Sequence, residues 1–154
     1  MIPQGLVLNP VMDADFEAMT AIRIEAMRES LERLGRFDSE RARERLCAGF
    51  VPTCMHHICL ASGEKIGFVT LKPESHDALR LDHLYILPTH QSKGIGAWVI
   101  DWAKSQAQAC TKNIKVTVLK QSDAIRFYEM NGFKQDGEEE WDLHYQWQVE
   151  GPAS

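Results

Sequence analysis

Two glycines one residue apart, Gly94 and Gly96, stand where an apolar run, Leu84-Tyr85-Ile86-Leu87, passes through Pro88-Thr89-His90-Gln91-Ser92-Lys93 into a helix-like pattern. A strand that ends in a short polar turn and leads into a helix leaves several backbone N–H groups unpaired at one point, and the helix dipole favours negative charge there. Glycines let the main chain approach a bulky anion closely, so the segment suits a phosphate or pyrophosphate. Lys93 can add a charge or stand solvated. The segment is not a P-loop, which needs Gly-x-x-x-x-Gly-Lys-Ser/Thr. It is not the dinucleotide fingerprint either, because position 99 is Val. From spacing alone, a glycine used for close packing at a helix start explains it equally well.

Other chemistry-bearing residue types are weaker signals. Cys54-Met55-His56-His57-Ile58-Cys59 holds metal-ligand types, yet on a strand His57 and Cys59 share a face while His56 points away. No zinc spacing fits, and no metal is expected. Cys110 follows a helix with no base near it in sequence, so a nucleophilic role is not expected. Seven arginines lie between Arg23 and Arg45, interleaved with Glu25, Glu29, Glu32, Asp38, Glu40 and Glu44. Such a nearly balanced stretch reads as a solvated helical face laced with i,i+4 pairs.

The elements that position these residues follow from periodicity. Residues 6–8 read as a short opening strand ended by Asn9-Pro10, and Asp13 as a helix cap. Phe16, Met19, Ile22, Ala26, Met27, Leu31 and Leu34 recur at helical spacing up to the stop at Gly35. Residues 39–48 read as a second helix, closed by Gly49 and Pro52. Strands are expected at 57–60, 66–71 and 79–87, with turn chemistry at 62–65 and a loop over 73–77. On the third of these strands Arg80, Asp82, Leu84 and Ile86 share one face, and Leu81, His83, Tyr85 and Leu87 the other. A helix follows, with Ile95, Val99, Trp102, Ala103, Gln106 and Ala107 on its inner face. A strand is then expected at 114–119, a helix at 122–130 and a final strand pair from Phe133 onward. Trp141, Leu143, Tyr145, Trp147 and Val149 should face one way on the last strand. Residues 136–140 read as an acidic, solvated turn. The order β-αα-βββ-α-β-α-ββ describes an α/β fold, a mixed sheet of six to seven strands flanked by about four helices.

Bulk composition bounds the function. The 154 residues suit one domain spanning 1–154, and 44% apolar with 25% charged residues is ordinary for a globular chain. The net charge of -5 argues against a nucleic-acid partner held through phosphates and is compatible with a small cationic substrate. Four cysteines without a Cys-x-x-Cys pair read as reduced thiols. No secretory signal or membrane span is legible, so a soluble cytoplasmic protein with no membrane partner is expected.

The segment from Leu84 to Gly96 resembles the central motif of the GNAT superfamily of acetyl-CoA-dependent N-acetyltransferases, Φ-x-Φ-x-Pro-x-x-Gln/Arg-x-x-Gly-x-Gly/Ala. Leu84, Ile86, Pro88, Gln91, Gly94 and Gly96 occupy the matching positions. A second block, Ala124-Ile125-Arg126-Phe127-Tyr128-Glu129-Met130-Asn131-Gly132-Phe133, is similar to the family's Ala-x-x-Φ-Tyr-x-x-x-Gly-Phe. The order of helices and strands upstream agrees as well.

The resemblance implies acetyl-CoA or a related acyl-CoA, its pyrophosphate on the amides of Gln91, Ser92, Lys93, Gly94, Ile95 and Gly96. Backbone groups of Ile86 and Leu87 would pair with the pantetheine arm, entering between splayed strands 79–87 and 114–119. Many members carry Asn three residues before the alanine of the second block, where this chain has Gln121. Direct attack of an amine on the thioester needs a free lone pair, a polarised carbonyl and a protonated leaving thiolate. Tyr128 matches the tyrosine that members place near the cofactor sulfur as general acid, a phenol protonated at neutral pH. Asp82 is the expected base and His83, on the other face, the second choice. The first helix pair roofs the acceptor site in the family, which brings Glu25, Arg28 and Glu29 towards substrate. The expected acceptor is a primary amine of a small molecule. A protein N-terminus or lysine is the alternative within the same chemistry, and a noncatalytic acyl-CoA-binding domain is the alternative outside it. The aromatic last strand, together with the family habit, makes a homodimer the expected assembly.

Overall fold

Asp38 opens a helix by accepting from the N–H groups of Glu40 and Arg41 at 3.0 and 3.2 Å, which satisfies two otherwise orphaned donors. That helix, Ser39–Ala48, follows a first helix over Phe16–Arg33. The computed structural model describes residues 2–33, 35 and 38–150. Leu34 and Arg36 lie outside them, as does the side chain of Leu31. In chain order the elements are β1 (Val7–Pro10), α1 (Phe16–Arg33), α2 (Ser39–Ala48), β2 (Met55–Cys59), β3 (Lys65–Ser75), β4 (Ala78–Ile86), α3 (Ile95–Cys110), β5 (Asn113–Leu119), α4 (Ala124–Met130), β6 (Lys134–Glu138) and β7 (Asp142–Trp147). The sheet has seven strands in the order β1-β2-β3-β4-β5-β7-β6. The ladders β1–β2, β2–β3, β5–β7 and β6–β7 are antiparallel, and β4–β5 is parallel. This is the mixed, mostly antiparallel sheet with four α-helices that the sequence pattern implies.

The chain forms two compact units, 1–70 with 83–96 and 71–82 with 97–154, and both β3 and β4 contribute residues to each. In the first unit Val11, Met19, Leu46, Met55 and Phe68 form a buried cluster, with Phe16, Ile22, Phe50 and Tyr85 packed against it. Met19 and Leu46 bring α1 and α2 onto that cluster, and Val11, Met55 and Phe68 supply its sheet side. In the second unit the buried side of α3 is Val99, Ile100, Ala103 and Ala107, and that of β5 is Ile114, Val116 and Val118. Among the described residues no helix is long and apolar enough to cross a membrane.

Several local expectations differ from the structure. Asn9 and Pro10 do not follow β1 but belong to it, paired with His57 and His56. Asp13 is not a cap: it begins a 3₁₀ turn, Asp13–Asp15, and it is the Asp15 carboxylate that reaches back to the Met12 N–H at 2.8 Å. β3 runs through Pro73 to Ser75, where a loop was expected, because a proline fits a strand wherever its missing N–H faces no partner. Ile100, not Gln106, lies on the buried side of α3. Residues 136–138 belong to β6, leaving only 139–140 to the acidic turn.

Candidate functional site

β4 ends at Ile86, and a 3₁₀ turn, Pro88–His90, carries the chain towards α3. The turn is tied back into the first unit. The Leu87 N–H donates to the Ile66 carbonyl at 2.8 Å and the His90 N–H to the Leu87 carbonyl at 2.8 Å. The Gln91 side-chain amide donates to the Ile86 carbonyl, also at 2.8 Å. Beyond it Ser92 and Gly94 both take left-handed backbone, φ +63° and +80°, on either side of Lys93. Alternation of that kind turns successive N–H groups towards one side and forms an anion-binding concavity. α3 begins at the next residue, Ile95, and the first N–H groups of a helix have no acceptor within it. Its 16 residues give the N-terminus a full dipole. A side chain at position 94 would be strained by the backbone and would meet Ile2 Cγ1 at 2.8 Å. The segment can therefore hold a phosphate-type anion on main-chain donors alone.

β4 is supported at close range. A Cβ on Gly67 would lie 2.1 Å from the Tyr85 carbonyl oxygen, so only glycine lets β3 approach β4 there. The inner face of β4 in this unit presents His83 and Tyr85. His83 is 6% exposed and its Nδ1 meets Thr70 Oγ1 at 2.8 Å. Tyr85 lies against Phe68, ring centroids 5.4 Å apart, and accepts from Arg23 Nε at 3.3 Å.

In the second unit Asp82 lies on the exposed side of β4 and pairs with Lys72 at 3.1 Å. Arg80 grips Glu74 with two hydrogen bonds, 2.9 and 3.0 Å, and this holds the Glu74 carboxyl below its ordinary range. Its third nitrogen donates to Thr117 Oγ1, which meets His144 Nδ1 at 3.0 Å, and His144 Nε2 meets Glu139 at 3.0 Å. The Glu139 carboxylate can only accept, so Nε2 donates to it, and in the neutral ring Nδ1 then accepts from the Thr117 hydroxyl. Tyr128 on α4 is 7% exposed and edge-on to Phe127 and Phe133, at 5.0 and 5.3 Å. The parallel ladder between β4 and β5 runs from Ala78↔Asn113 to Leu81↔Val116, and β5 continues three residues beyond it to Leu119.

The acetyltransferase (GNAT) domain family model matches residues 52–135, more than half of the chain and inclusive of both motif blocks. The chain belongs to the GNAT acetyltransferase family. It is thereby an acyltransferase of the N-acetyltransferase type. An aminoalkylphosphonate N-acetyltransferase of Salmonella typhimurium is 25% identical over 129 residues, which cover 79% of this chain and 80% of that protein. A PaiA N-acetyltransferase from Thermoplasma acidophilum, solved in complex with coenzyme A, superposes with a TM-score of 0.77 at 19% identity, covering 95% of this chain and all of that one (100%). An acetyltransferase from Thermus thermophilus gives a TM-score of 0.73 at 19% identity, covering 95% of this chain and 98% of that one.

Set against this GNAT framework, the residues singled out by sequence fall into distinct places. Gln91 to Gly96 form the strand-to-helix passage, as their spacing implies. Both backbone groups of Leu87 are used within the chain, and the Ile86 carbonyl is held by Gln91. Gln121 takes left-handed backbone, φ +65°. Glu25, Arg28 and Glu29 lie exposed on α1. The charged residue that α1 sends inward, among those described, is Arg23, 5% exposed, with Nη1 on the Ala42 carbonyl at 2.6 Å. Its signal is in the sequence. Arg23 stands four residues after Met19 and three before Ala26, a charge inside the apolar stripe of α1. His57, in the metal-like segment, instead pairs through Nε2 with Asp15 at 2.8 Å, which lowers the Asp15 carboxyl.

Proposed function

We propose that this GNAT protein transfers the acetyl group of acetyl-CoA to a primary amine of a small molecule, by direct attack within a ternary complex. The observation that carries the reading is the passage at 91–96, where Ser92 and Gly94 in left-handed backbone lead into the N-terminus of α3. Such donors fit the pyrophosphate of an acyl-CoA. Gln91, Ser92, Lys93, Gly94, Ile95 and Gly96 would hold it. Ile86 would reach the pantetheine arm through its carbonyl once the Gln91 amide gives that carbonyl up. Leu87 would take part only if its present hydrogen bonds were exchanged.

In the transfer, the amine nitrogen bonds to the thioester carbon and the C–S bond breaks. Tyr128 would supply a proton to the departing thiolate, and Asp82 would take one from the attacking amine, either directly or through water. Release of Asp82 from Lys72 would precede that step. His83 is a second reading for the base, favoured by its burial and by the Thr70 hydroxyl that fixes its ring. Exposed Glu25, Arg28 and Glu29 would meet the acceptor on its way in. A small-molecule acceptor agrees with the name of the Salmonella typhimurium relative. The two compact units interleave along the chain, which supports residues 1–154 acting as one catalytic domain. We also propose a homodimer, which light scattering at high concentration tests directly, and a cytoplasmic location. The functional test is thiol release from acetyl-CoA against a broad amine panel. Turnover of small amines supports the reading, whereas turnover confined to peptides moves it to protein acetylation.

A further inference from the structure

Arg23 is a permanent cation in the interior of the first unit, 5% exposed, and its partners are all neutral. Nη1 donates to the Ala42 carbonyl at 2.6 Å, Nε donates to the Tyr85 hydroxyl at 3.3 Å, and the guanidinium carbon lies 5.4 Å from the Tyr85 ring centroid. Among the described residues no carboxylate pairs with it. Among the described residues it is the one buried arginine, whereas the more exposed Arg43 and Arg80 have carboxylate partners in Glu17 and Glu74. A buried charge that lacks a counter-charge is expensive, and the cost falls when an anion arrives.

Donors are left over for one. A guanidinium has five N–H donors, of which Ala42 and Tyr85 occupy two. Nη2 donates to none of the described residues, and it is not among the polar atoms sealed from the surface without a partner. The Tyr85 hydroxyl accepts from Nε, and its own proton has no acceptor among the described residues. A planar fork and a hydroxyl together match a carboxylate or phosphonate, which takes two parallel N–H bonds from arginine. Glu25 and Glu29 of α1 are exposed and supply no internal substitute.

We propose that Arg23, assisted by the Tyr85 hydroxyl, receives an anionic group of the acceptor. The acceptor class is then amines that carry a carboxylate or phosphonate, not polyamines or lysine side chains. The inference rests on the proposed acetyltransfer and on α1 bordering the acceptor site. Arg23 fixes which amines enter; the proton transfers belong to other residues.

The test uses the wild-type protein and a matched set of amines at saturating acetyl-CoA: ethanolamine, β-alanine, 2-aminoethylphosphonate and ethylenediamine. At least one acid-bearing amine should exceed ethanolamine in kcat/KM by roughly 10- to 100-fold, the scale of a hydrogen-bonded charge contact. The carboxylate and phosphonate arms tell the two anions apart. R23Q should bring the acid-to-neutral ratio to about one, with R23K and Y85F between, while the KM for acetyl-CoA stays at the wild-type value. Where R23Q does not fold, amine-free propionate and ethylphosphonate serve on the wild type and should inhibit competitively against the amine. Equal or greater kcat/KM for ethanolamine or ethylenediamine overturns the inference and leaves the acetyltransferase reading standing. Thiol release with no amine overturns that reading instead. The anion site is then decided by thermal shift: no rise in Tm with β-alanine or 2-aminoethylphosphonate, or an equal rise in R23K, overturns it.

Discussion

An alanine at position 67 would place its methyl carbon 2.1 Å from the Tyr85 carbonyl oxygen and 3.1 Å from Ile86 Cα. Carbon and oxygen come no closer than about 3.3 Å even in favourable contacts, so β3 and β4 would have to part there by roughly 1 Å. Both obstructing atoms are main chain, and no rotamer change relieves them. Overpacking a tight site costs about 1–3 kcal/mol, and a backbone obstruction lies at the upper end, about 3 kcal/mol. For a domain of this length 1 kcal/mol moves Tm by about 2–4 °C, so Gly67→Ala should lower Tm by about 6–12 °C. The affected strand also carries the Ile86 carbonyl that Gln91 holds, so affinity for acetyl-CoA should fall as well. Gly63→Ala is the matched control: its backbone is left-handed, φ +93°, but nothing lies within 4 Å of the added carbon. It should show only backbone strain, about 1–2 kcal/mol, with cofactor affinity retained. Thermal unfolding and calorimetric titration read both effects. A Gly67→Ala protein with Tm within about 1 °C of wild type and undiminished affinity for acetyl-CoA would refute the reasoning.

Tyr128→Phe keeps the packing against Phe127 and Phe133 and removes only the hydroxyl, so kcat should fall about 10²- to 10⁴-fold with little change in acetyl-CoA affinity; wild-type turnover where chemistry limits the rate removes the acid role. Asp82→Asn should abolish the acidic limb of the pH–rate profile and leave cofactor binding intact, and an unchanged profile moves the base to His83. The hydrogen bond from His57, with help from the Met12 N–H, holds the Asp15 carboxyl below its ordinary 3.8. A depressed carboxylate stabilises the fold above its unfolded value and loses that contribution as pH falls through the lower folded one. Tm should thus drop on acidification below about pH 4, and Asp15→Asn should flatten that drop; parallel Tm–pH curves for the two proteins would remove Asp15 as the cause.

Much of this architecture is legible in the sequence because the signals are local. The Gly49 stop after α2, the apolar spacing of α1 and the Gly-x-Gly at α3 each act within a few residues. What the sequence does not show is how residues far apart meet. Arg23 reads as one of seven arginines in a solvated stretch; its place in the apolar stripe of α1 hints at burial, but its partners, the Ala42 carbonyl and Tyr85, lie too far along the chain to be read from it. Asp82 looks available as a base until Lys72, ten positions earlier on β3, is seen beside it. His57 reads as a stray metal-ligand type, whereas Asp15 gives it a structural partner. Trp141 belongs to the expected alternation of the last strand, yet β7 starts one residue later and Trp141 is 53% exposed. Tyr145 takes the inward place, 2% exposed. Its hydroxyl is raised above the usual phenol range by burial and by its bond to Glu129 at 2.9 Å.

The proposed acyl-CoA site at 91–96 is tested most directly by titration of acetyl-CoA into wild type and Gly96→Glu. At a ligand concentration 100 times Kd, binding to the folded state alone stabilises it by about 2.7 kcal/mol. At about 2–4 °C per kcal/mol that is a rise in Tm of about 5–11 °C for the wild type. Gly96→Glu sets a carboxylate in the first turn of α3, at the proposed pyrophosphate site, and should remove the rise while the protein remains folded. A folded Gly96→Glu protein that binds acetyl-CoA as tightly as wild type would contradict the account.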